Sequence, residues 1–271
     1  MSARTQLTRI GAVARRDLRS ERTYRFRYIM WFLELAVTGV VVFHVGKLIT
    51  DTPELARYGG HYFDFAMVGL AMMSVARLGV GTFSANIMAE QSAGTLEVLL
   101  VSPARLWVLL TGAFIVPLLL TTVDLVVYFG LGIGVVGSGL PLGGVLLAIP
   151  LVALTLATFC AFGVLGAALG VLVKRGDPVS APLLQLTSIM SGALFPVSVF
   201  PKALQGLACA FPAYYGITGV RDALLGGAGF GRIAVDLVVL LAFALVLVPL
   251  SVVAFGKALD VAKRTGIVAS Y

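Results

Sequence analysis

The sequence predicts an all-α membrane protein with six transmembrane helices. Of its 271 residues, 59% are hydrophobic and only 12% are charged, whereas globular domains carry roughly 25% charged residues. The hydrophobic residues lie in runs of about 20 or more, long enough for an α-helix to cross a hydrocarbon core of about 30 Å. The alternating segments of about ten residues that build a membrane β-barrel are absent from the sequence.

Six hydrophobic runs define the predicted spans. They cover residues 26–48, 62–86, 105–136, 142–172, 180–199 and 232–256. The third and fourth runs are long and rich in glycine, and a tight uncharged turn separates them. Together the runs form a predicted transmembrane domain over 26–256, which a basic tail over 257–271 follows.

The distribution of basic residues predicts the orientation of these spans. Cytoplasmic loops of membrane proteins carry an excess of lysine and arginine. Most of the 20 basic residues fall in the N-terminal segment, in the loops after the second and fourth spans, and in the C-terminal tail. We therefore expect a multi-pass protein of the cell (inner) membrane with both termini in the cytoplasm. The basic residues behind the net charge of +7 then lie at the membrane surface, and no nucleic-acid partner is expected.

The N-terminal segment, residues 1–25, has an amphipathic pattern. Apolar residues recur there at helical spacing, at Leu7, Ile10, Ala14 and Leu18, and the arginines fall mostly on other faces. This pattern predicts a helix in the headgroup plane, with its arginines toward anionic lipid. A basic tail that only sets the topology is the alternative.

Residues 196–231 form a second region that does not span the membrane. Pro196, Pro201 and Pro212 divide it into pieces that are too apolar for a solvated loop and too short to cross a bilayer. The pattern predicts one or two short re-entrant helices in the outer leaflet, since such backbone must be buried in protein or line a cavity.

The segment between the second and third spans predicts a short amphipathic helix on the cytoplasmic side. Leu96, Leu99 and Leu100 share one helical face. Thr95 can cap the helix start, and Glu97 suits the first turn. Such a helix can dock in the groove of a cytoplasmic partner. It can equally cap the helix bundle with its leucines in lipid, and the physical pattern does not separate the two.

Residues 90–103, EQSAGTLEVLLVSP, resemble the E-x-E-x-G-T-L-E-x-L-L-x-[ST]-P signature of ABC-2 type transporter permeases. Further along, SGALFP at 191–196, Pro201, PAYY at 212–215 and Arg221 resemble a second pattern of that family, S-G-x-x-F-P-x-x-x-x-P followed by a P-x-x-Y element and an arginine. Ser92 departs from the first signature, because relatives commonly have an acidic residue there.

The resemblance implies that this cytoplasmic segment, about 90–103, is a coupling helix that docks on a separate ABC-type ATPase subunit. The docking residues would be Glu90, Gly94, Thr95, Leu96, Glu97, Leu99, Leu100 and Pro103. Two ATPase subunits would bind ATP and Mg, and a second permease subunit, identical or a close paralogue, would complete the transporter. This chain would carry no cofactor, metal or catalytic residue, and its sequence contains no G-x-x-x-x-G-K-[ST] motif.

Ionisable residues inside predicted spans are candidates for the substrate path. Glu34, Arg77 and Asp124 lie in the first, second and third spans, and such residues usually pair with one another or line a pathway. The pairs Glu34–Arg77 and Arg77–Asp124 are therefore the alternative to a path or gate. The family pattern adds candidates for an outer gate, namely Phe195, Pro196, Tyr214, Tyr215 and Arg221.

Aromatic residues open the first span, at Tyr24, Phe26, Tyr28, Trp31 and Phe32. Such a cluster is typical of an interfacial aromatic belt. The alternative is an aromatic cytoplasmic entry for an amphiphilic substrate.

The expected function is ATP-driven export of a hydrophobic or amphiphilic compound, such as a drug, lipid or glycolipid, from the cytoplasm or inner leaflet. A permease for a lipid-linked polysaccharide is the alternative within the family. An ion-coupled secondary transporter usually has an internal repeat, and the sequence shows no clear one. A membrane enzyme needs clustered catalytic groups, whereas the two histidines, His44 and His61, are both predicted near the outer face.

Overall fold

The computed structural model describes residues 25–49, 53–58, 60–92, 106–136, 142–173, 179–226 and 230–264. These ranges are helical apart from short connections and contain no β-strand. The helices are α1 (Arg25–Leu48), α2 (Pro53–Ala56), α3 (Tyr62–Ser92), α4 (Leu106–Val136), α5 (Leu142–Val173), α6 (Ser180–Met190), α7 (Lys202–Ala208), α8 (Pro212–Leu224) and α9 (Phe230–Arg264). A 3₁₀ turn, Val197–Val199, precedes α7.

Five of the described helices are long and apolar enough to cross a membrane, namely α1, α3, α4, α5 and α9. Their positions agree with five of the six predicted spans. Two of them continue past the predicted ends: α3 extends beyond residue 86 to Ser92, and α9 extends beyond residue 256 to Arg264. The start of the predicted C-terminal tail is therefore helical.

The predicted span over 180–199 requires correction. Its helix, α6, has 11 residues and is about 16 Å long, which is shorter than a hydrocarbon core of about 30 Å. The chain turns after Ser191, because Gly192 has a φ of 73°, a left-handed conformation that glycine adopts without steric cost. A count of six full-length helices is accordingly not confirmed by the described residues.

The central helix is α3, since nearly all of its span is buried, whereas α1, α4 and α9 expose most of theirs. The helices α5 and α9 run parallel to α3. One apolar cluster near the start of α3 combines residues from all three helices, among them Met72, Leu151 and Leu240. A second cluster near its end does the same, with Ile87, Val171 and Phe255.

The helices α1 and α4 run antiparallel to α3. Near the start of α3, Gly46 of α1 lies against Phe63, and Gly132 of α4 lies against Met67. We call the end of the bundle where α3 begins the Tyr62 end. The distribution of basic residues predicts that the Tyr62 end is the outer end.

Glycines allow α3 and α5 to touch along their backbones. A Cβ atom on Gly163 would lie 2.3 Å from the carbonyl oxygen of Gly79. The Ser84 hydroxyl also donates a hydrogen bond of 3.2 Å to the Gly163 carbonyl. Small residues at such a contact permit the close packing that stabilises membrane helices. This seam therefore joins the middle of α3 closely to α5.

The short helix α8 lies alongside α3 and α5 and is buried over almost its whole length. Its start, Ala213, packs with Ala76 in the middle of α3, and its later residue Arg221 contacts Phe65 near the Tyr62 end. Gly216 and Gly219 face α5 without space for a side chain. Two short helices, α7 and α8, thus occupy the region predicted to be re-entrant, and their depth in a leaflet stays a prediction.

Candidate functional site

Most of the predicted coupling-helix residues lie outside the described part of the chain. Glu90 belongs to the last turns of α3, whereas Gly94, Thr95, Leu96, Glu97, Leu99, Leu100 and Pro103 are not described. The flanking residues show where the segment begins and ends, because α3 ends at Ser92 and the antiparallel α4 begins at Leu106. Both lie at the end of the bundle opposite the Tyr62 end. The amphipathic helix predicted over 1–25 also falls almost entirely outside the described residues.

Three ionisable residues predicted inside spans, Glu34, Arg77 and Asp124, converge on one cavity, which we call the intramembrane cavity. It has a volume of about 330 Å³ and lies between α1, α3 and α4. Glu34, Arg77 and Asp124 all line it, together with apolar and aromatic side chains that include Leu35, Trp31, Leu120 and Tyr128. Two carboxylates and one guanidinium therefore share a mixed polar and apolar space.

The predicted ion pairs of this cavity are not formed. No carboxylate among the described residues lies within the ion-pair distance of 4.0 Å from Arg77, whose Nη2 donates to the Ser74 hydroxyl at 3.4 Å. Asp124 instead accepts a hydrogen bond of 2.9 Å from Trp31 Nε1. Sequence reasoning placed Trp31 in an aromatic belt or entry, and the bond to Asp124 gives it a third role. This bond joins α1 to α4 across 93 residues of sequence, and no local pattern reveals it.

A second constellation surrounds Arg221, a residue of the second family pattern. Its guanidinium is buried, with 3% of the residue exposed. Nε and Nη2 donate to the Phe65 carbonyl at 3.1 and 2.8 Å. Nη1 donates to the Gly192 carbonyl at 2.7 Å and Nη2 to the Ala193 carbonyl at 2.6 Å. The guanidinium also lies 3.4 Å from the centre of the Phe65 ring, within range of a cation–π interaction.

The Arg221 side chain thus holds α8 to α3 and to the turn after α6. Burial lowers the pKa of Arg221 to about 9, because desolvation disfavours the charged form. Arginine side chains stay protonated in proteins, so the guanidinium donates to all three carbonyls. Two glycines make this turn possible. Gly192, within the turn, has a positive φ. Gly69, on α3, leaves room for the turn, because a Cβ there would lie 1.9 Å from the Ala193 oxygen.

Asp222, the next residue along α8, anchors two further arginines. Arg57 Nη2 donates to both carboxylate oxygens, at 2.8 and 2.5 Å. Arg232 Nε lies 3.5 Å from Oδ2. Burial raises the pKa of Asp222, and the charges of Arg57 and Arg232 oppose that rise. Neither arginine is among the candidate site residues that the sequence predicts. The sequence feature that could have indicated this cluster is Asp222, an acidic residue beside Arg221 in an apolar region.

The arginines surround a cavity at the Tyr62 end, which we call the arginine cavity. It has a volume of about 510 Å³, and Arg57, Arg221 and Arg232 line it. Of the predicted gate residues, Pro196 and Tyr214 also line it. Phe195 and Tyr215 do not. Phe195 is 57% exposed, and Tyr215 packs against Phe243 of α9 with ring centres 6.3 Å apart.

A family model for the ABC-2 type transporter matches residues 9–225. The chain belongs to the ABC-2 type transporter family. The match includes both sequence patterns, the intramembrane cavity and the Arg221 constellation, and it ends before α9. A search of curated proteins found no match.

As a member of the ABC-2 family, the chain is a transmembrane component of an ABC transporter and a multi-pass membrane protein. Members of this family associate in general with an ABC ATPase subunit. In this ABC-2 chain, the described residues hold no group of three His, Cys, Asp or Glu side chains arranged to bind a metal ion.

Proposed function

We propose that the chain is the permease subunit of an ATP-driven exporter for a hydrophobic or amphiphilic compound. The observation that supports this substrate class is the intramembrane cavity. Ligand pockets are mainly apolar with a few polar groups that orient the ligand, and this cavity combines Leu35 and Leu120 with Glu34, Arg77 and Asp124. A compound with an apolar body and a polar group matches that lining.

We also propose that the cavity faces a second permease subunit, identical or paralogous. Glu34 and Arg77 are exposed on the surface of the single chain. A charged side chain in contact with lipid is costly, so such residues face a protein interior or a water-filled path. A second subunit against this face would remove both charges from lipid and enclose the path between the two permeases.

The energy would come from two copies of a cytoplasmic ATPase subunit, which would bind the ATP and Mg. The segment between α3 and α4 begins and ends at the side of the bundle that basic residues predict to be cytoplasmic. It carries the leucines and carboxylates of the proposed coupling helix. Closure of the ATPase pair would push this segment and repack the helices attached to it, a common form of two-state switching.

Co-purification tests the assignment directly. The full chain, extracted from its native membrane in mild detergent, should bring with it an ABC-type ATPase. In lipid, the ATP hydrolysis of that complex should rise when a transported amphiphile is added from a panel of neutral, cationic and anionic compounds. A chain that purifies without an ATPase would contradict the proposed function.

A further inference from the structure

The arginine cavity contains more guanidinium donors than its carboxylate partner can accept. Arg57 uses only Nη2 for Asp222, so its Nε and Nη1 have no hydrogen-bond acceptor among the described residues. Arg232 approaches Asp222 through Nε alone, at 3.5 Å, and its two terminal nitrogens likewise have none. Both arginines line the cavity, and their side chains are 32% and 50% exposed.

The charge balance around the cavity is positive. Three arginines line it, and no carboxylate is among its described lining residues. The nearby carboxylates, Asp222 and Asp236, are buried and do not line the cavity. Among the side chains that the structure describes here, three guanidinium groups against the carboxylates of Asp222 and Asp236 leave an excess of positive charge that faces the open space. An anion entering the cavity would meet this charge in a partly desolvated site, where screening by salt is weak.

Ser191 provides an independent sign of a missing partner. Its residue is 1% exposed, and its hydroxyl has no hydrogen-bond partner among the described residues. The same residue lines the arginine cavity. A buried polar atom that stays unpaired costs about 1–3 kcal/mol, so native structures usually satisfy it. A ligand acceptor inside the cavity would satisfy it here.

The surroundings of the cavity are apolar. Phe195, Val199 and Leu207 are 57%, 64% and 55% exposed, and they belong to the segments between α6 and α8 that also form the cavity wall. A volume of about 510 Å³ falls within the usual range for small-molecule sites, about 300–1,000 Å³. A ligand with a compact anionic group and an apolar chain would match the arginines of the cavity and the apolar residues around it.

We propose that the arginine cavity binds the phosphate group of an anionic amphiphile, with Arg57 and Arg232 pairing with the phosphate oxygens and Ser191 donating its hydroxyl. Arginine suits this task, because its planar fork matches phosphate geometry with two parallel hydrogen bonds. The apolar chains of the ligand would lie against Phe195, Val199 and Leu207. The site goes beyond the proposed transport function, since binding there requires neither ATP nor the transported compound.

The test compares lipid binding by the full-length chain in detergent, measured by native mass spectrometry. The probes are short-chain phosphatidylglycerol, which is anionic, and short-chain phosphatidylcholine, which is zwitterionic. We expect the unaltered chain to bind phosphatidylglycerol about tenfold more tightly, and Arg232→Gln to lose that preference. Lys202→Gln is the matched control, because Lys202 lies at the same end of the molecule, is exposed and does not line the cavity.

A second pair of variants protects the test against misfolding. Arg232→Lys keeps the charge and should retain part of the preference, and Ser191→Ala removes only the unpaired hydroxyl and should weaken phosphatidylglycerol binding. Arg57 is left intact, because its loss would strip Asp222 of its closest partner. Equal phosphatidylglycerol binding by the unaltered chain and Arg232→Gln would overturn the proposal.

A soluble competitor distinguishes a lipid from a free phosphate compound. Glycerol phosphate carries the same anionic group without the apolar chains. We expect it to displace phosphatidylglycerol only at much higher concentrations. Displacement at equal concentrations would contradict an amphiphilic ligand and would assign the site to a soluble phosphate ester. None of these outcomes depends on an ATPase, so failure here is distinct from failure of the proposed export function.

Discussion

Arg221 connects three segments through one side chain. Its guanidinium donates to carbonyls of α3 and of the turn after α6, although it forms no ion pair with an acidic residue in the described ranges. A buried charge of this kind is tolerated only while its hydrogen bonds are made. The residue therefore couples the turn, α8 and the Tyr62 end of α3 into one unit.

We expect Arg221→Gln to lower the free energy of unfolding by about 3 kcal/mol or more, because several buried charge-assisted hydrogen bonds are lost. Arg221→Lys should rescue little, since an ammonium group cannot reach all three carbonyls. Thermal unfolding of the purified chain in detergent measures both. Arg264→Gln, at an exposed position of α9, should stay within about 0.5 kcal/mol. Equal stability of Arg221→Gln and Arg264→Gln would contradict this role.

Gly69 offers a second test at the scale of one residue. A methyl group there would lie 1.9 Å from the Ala193 oxygen and 2.7 Å from Arg221 Nη2. Gly69→Ala should therefore displace the turn and lower the unfolding temperature. Gly81→Ala in the same helix has open space around its Cβ and should stabilise the helix by about 0.5–1 kcal/mol. If Gly69→Ala and Gly81→Ala changed the stability equally, helix propensity, and not the contact of residue 69 with Ala193, would explain the change.

At the scale of elements, α1 and α4 are joined to the rest of the bundle mainly along one face, and the intramembrane cavity lies between them and α3. The Trp31–Asp124 hydrogen bond crosses this cavity. It orients the Asp124 carboxylate while leaving Glu34 and Arg77 exposed to the space that a substrate would enter. The geometry of the cavity thus depends on an aromatic residue as much as on charges.

We expect Trp31→Phe to weaken substrate binding, because the Asp124 carboxylate loses its donor and its fixed orientation. The loss of one hydrogen bond to a charged group, about 1.5 kcal/mol, corresponds to a roughly tenfold higher half-saturating concentration. Substrate-stimulated ATP hydrolysis by the reconstituted complex measures this concentration. Phe32→Leu, which changes an exposed aromatic residue on the same helix, is the control. An unchanged concentration for Trp31→Phe would exclude the cavity as the binding site.

For the molecule as a whole, the proposed transporter includes partner subunits. Its described helices expose large apolar surfaces on α1, α4 and α9, which suit lipid, and a face with Glu34 and Arg77, which does not. A second permease would cover that face, and an ATPase would dock at the opposite end from the arginine cavity. Two sites at opposite ends of α3 can then respond to the same repacking of the bundle.

The double substitution Leu96→Asp and Leu99→Asp should prevent ATPase docking, because it replaces the apolar face of the proposed coupling helix with charge. We expect the ATPase to be lost on co-purification, while the thermal unfolding of the chain stays unchanged. The matched control, Leu96→Met with Leu99→Met, keeps an apolar face and should retain the ATPase. Coupled transport by the aspartate variant would disprove the docking assignment.

Several features were predictable because they depend on local composition alone. An apolar run of sufficient length favours a helix that crosses the membrane, and five of the six predicted runs appear as α1, α3, α4, α5 and α9. The fifth predicted run is not confirmed as a full-length helix, since its helix, α6, has 11 residues. No charged residue interrupts the sequence over 180–199, whereas the end of α6 depends on the left-handed turn at Gly192 and on the close approach of that turn to Gly69.

The family, the long helices and the residue types of the candidate site are readable from the sequence alone, since motifs and hydropathy are properties of neighbouring residues. Which of these residues meet depends on the packing of the helices. Arg57 and Asp222 are 165 positions apart, and Trp31 and Asp124 are 93 apart, so no local pattern pairs them. The position of Asp222 follows from the packing of α8, because glycines let α3, α5 and α8 approach closely, and that packing places the arginines around one cavity.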